Sequence, residues 1–118
     1  EDMPIVNATC LNATKLAQDI NAKYIVAVTR SGYTAIEIAK YRPFIPIIVF
    51  TPNVKVARQM ALVWGVMHSF VQFIHLSNSL PQIKQTLISK GLVKSGDEIV
   101  VCNAGFGKKE KLITTTMI

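Results

Sequence analysis

The residues best suited to chemistry stand in one run, Thr29-Arg30-Ser31-Gly32-Tyr33-Thr34. Three hydroxyls, a guanidinium and a glycine that lets the backbone bend suit a phosphate, whose oxygens accept from several donors at once. The run follows the apolar segment Tyr24-Ile-Val-Ala-Val28 and precedes a stretch with helical spacing. It therefore stands at the carboxyl end of a predicted strand, where open α/β sheets bind ligands. A helix start adds free amides and the positive end of a dipole. The hydroxyls of Thr29, Ser31 and Thr34 and the amides near Gly32 are expected to converge on one phosphoryl group, with Arg30 adding charge. The same residues also suit a plain tight turn and helix cap, and pattern alone leaves both readings open.

The other reactive side chains point elsewhere. His68 and His75 have no carboxylate or Cys at ligand spacing, which argues against metal binding and catalysis. Cys10 and Cys102 form no Cys-x-x-Cys pair and read as buried free thiols. Asp97 and Glu98 follow a turn, apart from any His or second carboxylate, an arrangement unsuited to acid/base work. Trp64 is expected on an inward helical face, as core or subunit contact. Lys40, Arg42, Lys55 and Arg58 form a basic cluster with no acidic partner expected and little aromatic interleaving, so they read as a solvated face or subunit contact rather than a nucleic-acid surface.

Positioning the run requires a sheet and its helices. The chain has 118 residues, 50% of them hydrophobic and 17% charged, with 13 Lys/Arg against 7 Asp/Glu. That length and balance suit one domain over residues 1–118 and exclude a (β/α)₈ barrel. No apolar run approaches the roughly 18 to 20 residues that span a bilayer, and the first residues lack the pattern of a secretory signal, so a soluble, cytoplasmic domain is expected. The net charge of +6 permits a phosphate or nucleic-acid partner without choosing between them.

Apolar runs at Tyr24–Val28, Pro46–Phe50, Val66–Val71 and Glu98–Cys102 read as short strands, apolar on both sides and hence parallel and covered on both faces. Between them lie helical patterns. Val6, Cys10, Ala13, Ala17 and Ile20 share one face. Thr34 with Glu37, and Ser79 with Gln82, read as capping boxes. Asn53 caps a helix carrying Val56, Ala57, Met60, Ala61 and Trp64 inward, ended by Gly65, while Gly91 closes the helix that carries Ile83, Leu87 and Ile88. Repeated strand–helix–strand order predicts a doubly wound sheet, and Leu112–Ile118 a terminal strand of unassigned direction.

The blocks Thr29-Arg-Ser-Gly-Tyr-Thr-Ala35, Ile38-Ala-Lys-Tyr-Arg-Pro43, Pro46-Ile-Ile48, Thr51-Pro-Asn53, Val56-Ala-Arg-Gln59, Leu62-Val-Trp-Gly-Val66, Gly91-Leu-Val-Lys94 and Gly96-Asp97 occur in that order. In them the sequence resembles the C-terminal domain of pyruvate kinase over nearly all of its length. The resemblance implies a three-layer αβα sandwich on a mostly parallel five-stranded sheet. It implies a domain set apart from the catalytic barrel, which helps build a homo-oligomer and in many members binds a phosphorylated sugar or nucleotide effector. The family's phosphate turn corresponds to Thr29, Ser31, Gly32 and Thr34, with Arg30 and Tyr33 at its variable positions. No cofactor is implied for this domain. The family's Mg²⁺ and K⁺ belong to the barrel, whose residues have no counterparts here, so this segment alone is not expected to transfer a phosphoryl group. A start inside what resembles a family helix suggests truncation.

One stretch departs from the family. A glycine-rich second loop, typically ending in Gly-Ser-Thr-Asn, closes the family's effector site. Here the corresponding stretch is Ala104–Ile118, with Leu112 and Ile113 replacing the small Gly and Ser, and Thr115 replacing Asn. Branched side chains where backbone freedom is used argue against effector binding by this loop. Lys108, Lys109 and Lys111 are candidates for supplying charge to a phosphate instead, or form a solvated basic hairpin. An alternative class is a stand-alone phosphosugar-binding or isomerase-like domain, whose members use a Ser-x-Ser-Gly-x-Thr-like turn but need a nearby base.

Overall fold

The computed structural model describes residues 3–75, 78–103 and 112–118. Apolar residues at spacings of three and four give α1 (Met3–Ile20), which buries Val6, Cys10, Ala13 and Ala17. It leads into β1 (Tyr24–Val28), whose five residues are all buried, as a central strand requires. α2 (Tyr33–Lys40), β2 (Ile47–Thr51), α3 (Val54–Met60) and β3 (Val66–Val71) follow. α4 (Ser79–Ser89) returns the chain to β4 (Glu98–Asn103), and β5 (Leu112–Met117) comes last.

The strand order is β3-β2-β1-β4-β5. β1 pairs parallel with β2 and β4, β2 pairs parallel with β3, and β5 runs antiparallel to β4. That pairing gives the terminal strand the direction its sequence left open. Alternate residues divide two cores. Ile25, Ala27, Ile47, Val49, Val100 and Cys102 pack with residues of α1, α2 and α3. Tyr24, Val26, Val28, Ile48, Phe50, Ile99 and Val101 pack with Ile83 and Leu87 of α4 on the other face. This is the expected helix-covered, mostly parallel sheet of five strands. Among the described residues no helix is long and apolar enough to cross a membrane.

Several local expectations change. Neither capping box forms. Gly32, at φ 92°, occupies the N-cap of α2, and Glu37 pairs with Lys40 at 2.8 Å instead of reaching back. The hydrogen bond and the charge of Glu37 hold the exposed Lys40 ammonium above its ordinary pKa, so this member of the basic cluster does have an acidic partner. At α4 the N-cap is Asn78, and Gln82 bridges outward: its Nε2 donates to Asn78 Oδ1 (2.9 Å) and its Oε1 accepts from the His75 amide (3.0 Å). Asn53 does cap α3, accepting from the Val56 amide at 3.1 Å.

α3 ends at Met60, before Ala61, Trp64 and Gly65. Ala61 is exposed, and Trp64 is half-exposed beside the Arg42 guanidinium, 4.6 Å from the ring centre. The chain turns through residues 61–65, so the inward spacing counted through Trp64 belongs to two different local structures. Ile88 faces solvent, while Gly91 (φ 72°) closes α4 with its amide donating to Ile88 O at 3.0 Å.

Candidate functional site

Sheet order places the Thr29–Thr34 run where ligands collect. β1 sends the chain through α2 to β2 on one side, while β4, reached through α4 on the opposite face, lies on the other. The strand order reverses between β1 and β4, the position at which open α/β sheets bind ligands. The run leaves β1 at that point.

Within the run the turn closes on itself. Thr29 is buried, and its Oγ1 accepts from the Gly32 amide at 2.9 Å; the exposed Ser31 accepts through Oγ from the Tyr33 amide at 3.3 Å. Two of the amides expected to meet a phosphate are therefore occupied by the turn's own hydroxyls. Those hydroxyls keep their O–H donors. Past them, the amides of Thr34 and Ala35 sit in the first turn of α2, where no intrahelical acceptor exists.

Gly32 is required by its backbone conformation, and its α-carbon lies close to Met60. Its φ of 92° is left-handed, and a Cβ there would stand 2.6 Å from Met60 Cε. Thr34 is 1% exposed, and its Oγ1 has no hydrogen-bond partner among the described residues. Its carbonyl accepts from the Cys10 thiol at 3.7 Å, which ties the first turn of α2 to α1. Tyr33 turns to the same helix, donating its hydroxyl to Asn7 Oδ1 at 2.7 Å. Arg30 is exposed.

The second group of candidates is only partly described. Lys108, Lys109 and Lys111 lie outside the described residues. Leu112 and Ile113 are strand residues, opposite Asn103 and Cys102, and Thr115 is opposite Val100. The bulky replacements thus fall in a paired strand, where branched residues suit the backbone.

The remaining reactive residues are engaged elsewhere. His68 stacks on Phe70 with centroids 5.7 Å apart, and His75 meets Phe73 edge-on at 4.8 Å. Among the described residues no three His, Cys, Asp or Glu side chains gather as a metal site. Asp97 accepts the Lys94 amide through Oδ2 at 2.9 Å and so shapes the turn before β4. Both cysteines are free and buried.

Sequence reasoning ended β4 at Cys102 and passed over the residue after it. Asn103 is the last residue of β4, 3% exposed, and among the described residues neither its side-chain nitrogen nor its side-chain oxygen has a hydrogen-bond partner. The legible signal was a carboxamide closing an otherwise apolar strand directly before Ala104-Gly105.

Comparison with known proteins gives consistent matches. The family model described as pyruvate kinase, alpha/beta domain matches residues 7–117. A pyruvate kinase of Staphylococcus epidermidis is 40% identical over 114 residues, covering 96% of this chain and 19% of that protein. One from Staphylococcus haemolyticus is 39% identical over the same span. A crystal structure of a pyruvate kinase from Cryptosporidium parvum superposes with TM-score 0.79 at 29% identity, over 95% of this chain and 22% of that one. A structure of the Cryptosporidium parvum enzyme in complex with ADP superposes with TM-score 0.76 at 26% identity, over 96% of this chain and 23% of that one. The chain thus spans about a fifth of the length of the relatives it matches.

Proposed function

The chain belongs to the pyruvate kinase alpha/beta domain family, and from that membership we propose that it is a regulatory and assembly domain whose Thr29–Thr34 turn receives the phosphate of a phosphorylated sugar or nucleotide. The observation that carries this reading is the Thr34 hydroxyl, buried in the first turn of α2 without a partner among the described residues. An unsatisfied buried hydroxyl costs about 1–3 kcal/mol. A phosphate oxygen at this helix start offsets that cost, accepting from Thr34 Oγ1, from the free amides of the first turn, and from the hydroxyls of Thr29 and Ser31.

The regulatory part of the proposal follows from linkage: a ligand at the turn shifts an assembly only as far as it binds one quaternary state more tightly than another. The partner in that assembly is a second copy of the parent chain. The parent reaction is phosphoryl transfer from phosphoenolpyruvate to ADP, carried out in the cytoplasm, with Mg²⁺ and K⁺ held by parts of the family outside this domain. Nothing in the described residues supplies the base that a sugar isomerase needs: Glu37 is buried and paired with Lys40, and both histidines lie against aromatic rings.

Calorimetric titration with sugar monophosphates, sugar bisphosphates and AMP tests the proposal. Saturable binding that weakens at least about tenfold in both Ser31→Ala and Thr34→Ala is expected, each variant removing one donor to a charged acceptor. A folded chain that gives no heat with any of these ligands overturns the phosphate reading and leaves an assembly domain alone.

A further inference from the structure

α1 and β4 meet at two thiols. Cys10 lies on the face of α1 that carries Val6, Ala13 and Ala17, and Cys102 lies on β4 between Ala27 of β1 and Ile113 of β5. Both are fully buried in one core. The Cys102 thiol is hydrogen-bonded to Cys10, and the Cys10 thiol donates in turn to the Thr34 carbonyl at 3.7 Å. Two sulfurs in hydrogen-bonding contact, one on a helix and one on a strand far away in the sequence, have the placement from which a disulfide forms. Its S–S bond of about 2.0 Å requires that they draw closer.

α1 is the element able to move. Its buried face is made of small side chains, Val6, Cys10, Ala13 and Ala17, with Leu16 and Ile20 partly buried beside them, whereas α4 buries Ile83 and Leu87 completely. Small side chains remove less apolar area from water, and a helix seated on them opens at lower free energy than the strands beneath it. In the closed molecule thiol exchange is blocked. The thiolate is the reacting form, and the hydrogen bond with Cys10, together with burial, holds Cys102 protonated. Lifting α1 exposes both sulfurs.

We propose that Cys10 and Cys102 are a redox lock: a small-molecule disulfide oxidises them when α1 lifts, and the bond that forms holds α1 against the sheet. Cys10, carried by the moving helix, gives its proton to water, and its thiolate attacks one sulfur of the small disulfide, releasing the other half as a thiolate. Cys102 then loses its proton and attacks the Cys10 sulfur of the mixed disulfide, releasing the second half. The two released thiolates take up the two protons, so the protein pair is oxidised by two electrons and the small disulfide is reduced to two thiols. Oxidation also removes the thiol proton that the Thr34 carbonyl accepts, which changes the contact between α1 and the first turn of α2. In a reducing compartment such a bond is transient and registers a rise in oxidant.

The test is incubation of the folded 118-residue chain with oxidised glutathione, followed by mass spectrometry of the intact and the digested protein without reduction. The wild type is expected to lose two hydrogens, to retain no glutathione and to yield a peptide joining Cys10 to Cys102. The oxidised chain is expected to melt at least about 5 °C higher, since the bond closes most of the chain into one loop. Its α1 amides are expected to exchange at least about tenfold more slowly, and dithiothreitol reverses both effects. Cys10→Ser and Cys102→Ala show neither change on the same treatment. Asn53→Ala raises the globally unfolded fraction about fivefold, and oxidation of that variant at a rate within about twofold of the wild type is expected for a lift confined to α1. Oxidation faster in proportion to the unfolded fraction means that the thiols are reached only by global unfolding, and overturns the lock. A native chain that stays reduced, while the same chain oxidises in concentrated urea, assigns the pair to packing and overturns it too. So does a product that stops at the mixed disulfide, or an oxidised form that melts lower than the reduced one.

Discussion

Gly32 concentrates the constraints on the turn in one residue. It holds the left-handed conformation that lets β1 hand over to α2, its amide donates to Thr29 Oγ1, and its α-carbon lies against the Met60 thioether. A Cβ would meet Met60 Cε at 2.6 Å, but Met60 ends in a flexible chain and can withdraw. The backbone strain cannot be relieved that way. Gly32→Ala is therefore expected to lower the unfolding free energy by about 1–2 kcal/mol, the cost of a left-handed L-residue, as read by urea denaturation. It should weaken phosphate binding further if the chain relaxes the strain by opening the turn. Stability equal to the wild type would show that the turn tolerates another conformation and that its geometry is not fixed by this glycine.

Elements explain which parts of the site were legible in the sequence. The strand–helix order, the position of the turn after β1 and the cap at Asn53 all depend on local residue types, and the structure has them where pattern placed them. Asn53→Ala is accordingly expected to cost about 1 kcal/mol through the lost bond to the Val56 amide, measurable as a shift of the urea midpoint at unchanged slope. The two supposed capping boxes failed because a capping box needs the right residues and also a chain that enters the helix in an extended conformation. At α2 the left-handed Gly32 takes the N-cap, so Thr34 falls inside the helix and Glu37 is left to Lys40. Trp64 misled for a similar reason, since helical spacing was counted through a turn. Asn103 was invisible to periodicity because its place depends on strand order: only the pairing of β4 with β1 sets it beside the strand that leads into the turn.

At the scale of the whole molecule, the sheet and the α1 layer meet at a thiol pair. Cys10 on α1 and Cys102 on β4 are both fully buried in one core, and the Cys10 thiol also reaches the carbonyl of Thr34. The hydrogen bond to Cys10, then burial, push the Cys102 thiol well above its ordinary value of 9.0. The sign of the consequence follows from proton counting. Below about pH 9 the thiol is protonated in folded and unfolded chains alike, and its contribution to stability is fully present. Above that pH the unfolded chain loses the proton and the folded chain keeps it, so stability falls by about 1.4 kcal/mol per pH unit from this group. Lys40, whose raised pKa is set by Glu37, adds a loss of the same sign at higher pH, but equally in the wild type and in Cys102→Ala. The difference between these two proteins isolates the thiol. Cys102→Ala is expected to be the less stable at pH 8, because it leaves a cavity in the core, and the gap should close by about 1.4 kcal/mol for each pH unit between 9 and 10.5. Urea denaturation of both proteins across that range reads the effect directly. Parallel pH profiles would mean that Cys102 loses its proton as readily in the folded chain as in the unfolded one, and that the seam between α1 and the sheet admits water.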